Sequence, residues 1–80
     1  MLLADAVSRI ERLRERRLEK ADAYTDVAAE YEARALSVDE VLSASQREFL
    51  TTLGMAAQRN AKTMREDADA LTLVLGAVAP

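Results

Sequence analysis

The chain has 80 residues, a formal net charge of −3, and neither histidine nor cysteine. It therefore lacks disulfides, thiolate metal ligands and the commonest general base of enzymes. Half of the residues are hydrophobic, only 4% are aromatic, and there are two glycines and one proline, a balance that favours helix formers over strand and turn formers. These features predict an all-α fold of one small domain spanning residues 1–80.

The first predicted helix covers residues 3–35, where no glycine or proline interrupts a stripe of apolar residues at three- and four-residue steps. Arg14 and Arg17 lie on this stripe. Either they extend along the seam with their charged ends in water, or they meet a carboxylate on a partner and set the register. The stripe comprises Leu3, Ala6, Val7, Ile10, Leu13, Ala21, Tyr24, Ala28, Tyr31 and Ala35.

Charge along this helix is segregated. Residues 9–20 carry six basic and three acidic groups, whereas residues 22–32 carry four acidic groups and no basic one. A charged face in water is the simpler interpretation. The alternative is a self-complementary surface, in which an antiparallel neighbour sets the basic segment against the acidic one.

Between the helices, Ser37 and Glu40 have the spacing of a capping box, and Leu36 and Val41 have the spacing of a hydrophobic staple. These local signals predict a turn at residues 36–38 and a second helix over residues 38–75.

The second helix has an apolar stripe of its own, and Gly76 stands where a glycine would end it, before a short tail over residues 76–80 that closes on Pro80. Leu42, Leu53, Met64 and Leu75 are eleven residues apart, as are Leu2, Leu13, Tyr24 and Ala35, which predicts nearly straight helices or slight right-handed coiling. The stripe comprises Val38, Leu42, Phe49, Leu53, Ala56, Asn60, Met64, Leu71 and Leu75.

Folded back at this turn, the helices form an antiparallel hairpin in which Arg14 lies opposite Asn60 and Arg17 opposite Ala57. The same register sets Arg9, Arg12 and Arg16 level with Arg65, Lys62 and Arg59, as a band of like charge. Two helices leave much apolar surface uncovered, so we expect self-association or a partner to complete a four-helix bundle.

In size and hairpin shape the chain resembles the small helical-hairpin secretion substrates of high-GC Gram-positive bacteria, and its outline is also similar to type III secretion needle subunits and their small co-chaperones. The Trp-x-Gly turn of the first family and the proline-rich turn of the second are absent, so no functional residue is transferred from either.

The sequence therefore predicts a non-enzymatic protein–protein interaction module, such as an adaptor, chaperone or structural subunit of a bacterial secretion system or mobile element. No catalytic, metal or cofactor-binding residue is predicted. The alternative is nucleic-acid binding through Arg9, Arg12, Arg16, Arg59, Lys62 and Arg65, and membrane-surface binding ranks below it. No apolar run reaches the ~18 residues of a membrane span and no signal peptide is visible, so we expect a cytoplasmic protein, with leaderless export as an alternative. The predicted partner-binding residues are Arg9, Arg12, Arg16, Arg17, Tyr24, Tyr31, Leu18, Leu50, Met55 and Leu73.

Overall fold

The computed structural model describes residues 2–39 and 41–78, and over these residues the chain forms two α-helices that pack against each other as a hairpin. The first helix, α1, spans Leu3–Leu36, and the second, α2, spans Ala44–Val78. The predicted helical hairpin is confirmed. Its radius of gyration is 18.0 Å, against about 12 Å for a compact chain of this length. The molecule is a rod of 58 × 16 × 15 Å.

The first helix begins without a side-chain cap. The carbonyl of Leu2 instead accepts the amides of Asp5 and Ala6, at 3.1 and 3.3 Å. The carboxylate of Asp5 in the first turn opposes the positive end of the helix dipole. At the other end, Ser37 turns to an extended conformation and its amide donates to the carbonyl of Arg34 at 3.2 Å. The helix therefore ends within one residue of the predicted boundary.

The second helix begins six residues later than predicted, because a different serine caps it. Ser43 and Gln46 form a reciprocal capping box: the Gln46 amide donates to Ser43 Oγ at 3.1 Å, and the Ser43 amide donates to Gln46 Oε1 at 2.8 Å. Ser37 Oγ instead accepts the amide of Asp39 at 3.3 Å, within the connection. Glu40, the other half of the predicted box, lies outside the described residues.

The predicted staple is also wrong, since Leu36 and Val41 are both almost fully exposed. The connection is held by Arg47, in the first turn of α2. Its Nη1 donates to the carbonyls of Ala35 and Ser37, both at 2.8 Å. A guanidinium at this position satisfies carbonyls that the end of α1 leaves without helical partners, and it opposes the negative end of the helix dipole.

The far end of α2 also differs from the prediction. The helix continues through Gly76 to Val78, and no glycine of the described residues has a positive φ. Gly76 is therefore an ordinary helical residue rather than a C-terminal cap. Pro80 and the last part of the predicted tail lie outside the described residues.

The seam between the helices is built almost entirely from small residues. Of the buried positions only Leu50 is large, and it is 7% exposed. Many of these positions recur every seven residues, and six of the eight members of the eleven-residue repeat inferred from the sequence are also buried or half-buried. Two members of that repeat, Leu2 and Leu13, are exposed. The buried residues are Ala21, Ala28, Ala35, Leu50, Gly54, Ala57, Ala61 and Ala68.

The two helices approach each other closely at Gly54. A Cβ placed there would lie 3.3 Å from Glu32 Cγ, 3.5 Å from the Ala28 carbonyl oxygen and 3.7 Å from Tyr31 Cβ. Further along, Arg17 Nη1 contacts Met64 Sδ at 3.5 Å, where the sequence predicted Ala57. At this point the register between the two helices is shifted by two turns from the predicted one, because the connection contains more residues than predicted.

We predict that Ser43→Ala lowers the free energy of unfolding by about 1 kcal/mol, because two amides of the first turn of α2 lose their reciprocal partners. Ser37→Ala is the matched control and should cost less than half as much, since Ser37 lies outside both helices. Urea denaturation followed by circular dichroism measures both. A larger loss of stability for Ser37→Ala than for Ser43→Ala would indicate that α2 begins at residue 38.

We predict that Gly54→Leu lowers the free energy of unfolding by roughly 1–3 kcal/mol, because the added side chain must displace the backbone of Ala28 or the Tyr31 side chain. Gly76→Leu is the control, since nothing outside its own helix lies within 4 Å of a Cβ there, and it should be neutral or stabilising. Thermal unfolding compares them. Equal tolerance at both positions would contradict the close packing at Gly54.

Candidate protein-binding face

One long side of the hairpin is polar and bonded across the seam; we call it the polar face and define it by Thr25, Glu32, Gln58, Arg65 and Thr72. Arg65 donates to Thr25 Oγ1 at 2.9 Å and lies 3.7 Å from a carboxylate oxygen of Asp22. Gln58 Nε2 donates to Glu32 Oε1. Thr72 Oγ1 accepts a hydrogen bond from Arg14 Nη1 at 3.5 Å. On this side, polar side chains of the two helices thus bond to each other and remain exposed to solvent.

The opposite side carries three shallow depressions in a row, with apolar linings near the turn and basic side chains toward the open end. We call it the tyrosine face, after Tyr24 and Tyr31, and define it by the residues that line these depressions. The first depression is lined by Leu13, Arg16, Arg17 and Lys20, and the second by Lys20, Ala23, Tyr24 and Val27. The third and largest has a volume of about 460 Å³ and lies beside the turn. It is lined by Tyr31, Arg34, Leu42, Ser45, Gln46, Phe49, Leu50 and Leu53.

The turn half of the tyrosine face exposes the only phenylalanine of the chain. Phe49 is 62% exposed, and Val27 is also exposed. Arg34 is the one residue with a formal charge at neutral pH among those that line the large depression. An exposed aromatic ring beside a concave apolar surface, with charge confined to its edge, is typical of the centre of a protein–protein contact.

The bulky residues lie on this face because the small ones occupy the seam. In α2, Leu50, Gly54, Ala57 and Ala61 form the buried row, whereas Phe49 and Leu53 lie one position before Leu50 and Gly54. A step of one residue turns about 100° around a helix, so this second row lies at the margin of the seam rather than inside it. The sequence interpretation assigned Phe49 and Leu53 to the core. The sequence signal that could have revealed this was the presence of two parallel apolar rows in α2, one of mainly small side chains and one of large side chains.

The structure disperses the predicted partner-binding residues over several surfaces. Tyr24 and Tyr31 lie half-buried on the tyrosine face and Arg17 at its edge. The exposed Leu18, Met55 and Leu73 lie elsewhere, and Leu50 is a correction because it belongs to the core. The arginines Arg9, Arg12 and Arg16 line an open depression on the outer side of α1, interleaved with Glu15 and Glu19, and of these three only Arg16 also borders the tyrosine face.

The band of six basic residues predicted for nucleic-acid binding is not assembled. Arg65 lies against Asp22 and Thr25, at the acidic segment of α1, rather than level with Arg9. The thirteen residues from Arg9 to Asp22 span about 20 Å of helix. Arg59 and Lys62 lie still nearer the turn than Arg65, so the basic side chains divide into two groups. Within the acidic segment, Asp22 thus meets a basic group of α2 in the same hairpin.

Arg14 and Arg17 occupy the seam half-buried, and their recorded contacts across it are to neutral groups, Thr72 and Met64. Within residues 2–39 and 41–78, no group of three or more acidic side chains converges in a way that could hold a metal ion. Neither described helix is long and apolar enough to cross a membrane.

Comparison of the chain with known proteins gave no match, either to a protein-family model, to a curated protein or to a solved structure.

Proposed function

We propose that the protein is a non-enzymatic interaction module, an adaptor, chaperone or structural subunit that docks on another helical surface through its tyrosine face. The observation that carries this proposal is the exposed Phe49 beside the apolar depression lined by Tyr31, Leu42 and Leu53. Docked helices would complete a four-helix bundle around it.

The energetics of the hairpin support a partner. A buried alanine removes little apolar area from water, whereas a buried leucine contributes about 1.5–3 kcal/mol. Among the described residues, the fully buried positions of the seam are Leu50 and otherwise alanine and glycine. Since an isolated pair of helices is marginal in water, covering Phe49 and Leu53 would supply the apolar burial that the seam lacks.

The accessible surface gives a second argument. It amounts to 5985 Å², whereas a compact protein of this mass exposes roughly 4,800 Å². The difference, about 1,200 Å², exceeds the ~800 Å² that each partner buries in an interface of standard size. One docking event of standard size on a long side of the rod would therefore cover about two thirds of this excess surface.

We predict that a photo-crosslinking benzoylphenylalanine placed at position 49 captures a protein in cells producing the chain, at a yield several-fold above that at position 55. Phe49 lies on the tyrosine face, whereas Met55 is comparably exposed at 53% but lies away from it. Denaturing electrophoresis measures the yield, and mass spectrometry identifies the captured chain, whether a second copy or a different protein.

Met55 is the matched control because both positions lie on α2 and differ mainly in the side of the helix. Absence of a product at position 49, or equal products at both positions, would contradict docking through the tyrosine face.

A further inference from the structure

We propose that the occupant of the tyrosine face is a second copy of this chain, paired about a two-fold axis parallel to the helices. This proposal rests on the proposed function and specifies the partner and its orientation. Its basis is the distribution of apolar and charged residues along the face, which is complementary to itself in that orientation.

The tyrosine face has an apolar half and a charged half. Near the turn it presents Tyr31, Phe49 and Leu53. Toward the open end, α1 contributes Arg16 and Lys20 to its depressions. The partition matters because any pairing that sets the apolar half on the charged half would bury Arg16 or Lys20 against an aromatic surface, at the cost of desolvation.

The open half also carries an acidic group on the other helix. Asn60 and Asp67 follow Leu53 at seven-residue steps along α2, which places them on the same side of that helix. Met64 contacts Arg17, and Asp67 lies less than one turn beyond Met64. Asp67 is therefore level with the segment of α1 that contains Arg16.

Symmetry decides which of these groups meet. Rotation about an axis parallel to the helices leaves every residue at its own level along the rod, so α1 of one copy faces α2 of the other in the register of the hairpin itself. The apolar halves then cover each other, Tyr31 against Phe49 and Leu53 of the partner copy. Arg16 of one copy faces Asp67 of the other, twice, because the contact is isologous.

The alternative axis, perpendicular to the helices, reverses the rod. It brings α1 against α1 and α2 against α2, and so sets Tyr24 and Tyr31 of one copy over the basic segment of α1 of the other. The distribution of residues along the face disfavours that arrangement on both apolar and electrostatic grounds.

The dimensions of the face fit a dimer. A rod 58 Å long and 16 Å wide presents about 900 Å² on one side, close to the ~800 Å² that each partner buries in a stable interface. The polar face already satisfies its side chains across the seam, through Gln58–Glu32 and Arg65–Thr25, so it gains nothing comparable from a second copy.

The first test is the mass of the purified chain by light scattering across a dilution series. We expect a dimer at high concentration that dissociates on dilution with loss of helicity. Phe49→Asp should yield a monomer over the same range, whereas Met55→Asp should dimerise like the parent chain. A chain that stays monomeric at every concentration overturns the proposal.

The second test measures orientation. The chain has no natural cysteine, so Val41→Cys, at a fully exposed position beside the turn, takes a single spin label. The parallel axis places both turns at one end, with inter-label distances of about 20–30 Å, a few helix spacings. A distance approaching the 58 Å length of the rod overturns the parallel axis even if the chain is dimeric.

The third test uses the charge pairs. Arg16→Glu and Asp67→Arg should each weaken the homodimer by about five-fold or more, since each creates two like-charge contacts. Mixing the two variants should restore the affinity, because every inter-chain contact in the heterodimer again joins opposite charges. Arg12→Glu, on the outer side of α1, is the control and should leave the affinity unchanged.

These outcomes separate the two proposals. A monomer in solution, together with capture of a different protein at position 49, would overturn the dimer and support the interaction module. A monomer with no product at position 49 would overturn both. A dimer whose mixed variants show no preference for each other overturns the paired Arg16–Asp67 contacts.

Discussion

The close approach of the two helices at Gly54 is the constraint on which the rest of the structure depends. The atoms that a Cβ at Gly54 would meet include the backbone carbonyl of Ala28 and the Tyr31 side chain, so the backbones can approach this closely only where side chains are small. Alanine therefore fills the neighbouring buried positions of both helices. Since small residues occupy the seam, the large apolar residues of α2 lie at its margin, and one long side of the rod becomes an apolar surface.

The connection between the helices sets the level at which they meet. Arg47 joins the beginning of α2 to the carbonyls at the end of α1, and the reciprocal Ser43–Gln46 cap begins the helix at residue 44. The resulting register carries Arg65 to Asp22, so unlike charges of the two helices face each other on the polar side. An ion pair this exposed contributes little stability, on the order of 0–1 kcal/mol. The register matters more because it avoids the band of like charge that an earlier start of α2 would have created.

These two features together explain the asymmetry of the hairpin. Polar groups that can reach across the seam do so on one side, where Glu32, Gln58 and Arg65 bond to one another or to near neighbours. On the other side Tyr24 and Tyr31 are only half-buried and Phe49 is exposed, and water is a poor neighbour for an aromatic ring. The proposed module is thus a hairpin that buries mainly small residues between its helices and leaves large apolar residues on a second surface.

The sequence by itself determined that the chain forms two long helices with one break that begins near residue 36, because helix propensity, amphipathic periodicity and capping act over at most a few neighbouring residues. It did not determine which serine caps α2, since Ser37 with Glu40 and Ser43 with Gln46 fit the same pattern. Only the tertiary structure decided which apolar row of α2 is buried, because both the row of Leu50, Ala57 and Ala61 and the row of Phe49, Leu53 and Ala56 are compatible with an amphipathic helix. The choice follows from how closely two backbones can pack, a property of the pair of helices that neither possesses alone. The assignment of Leu50 to the surface and of Phe49 to the core was wrong for this reason.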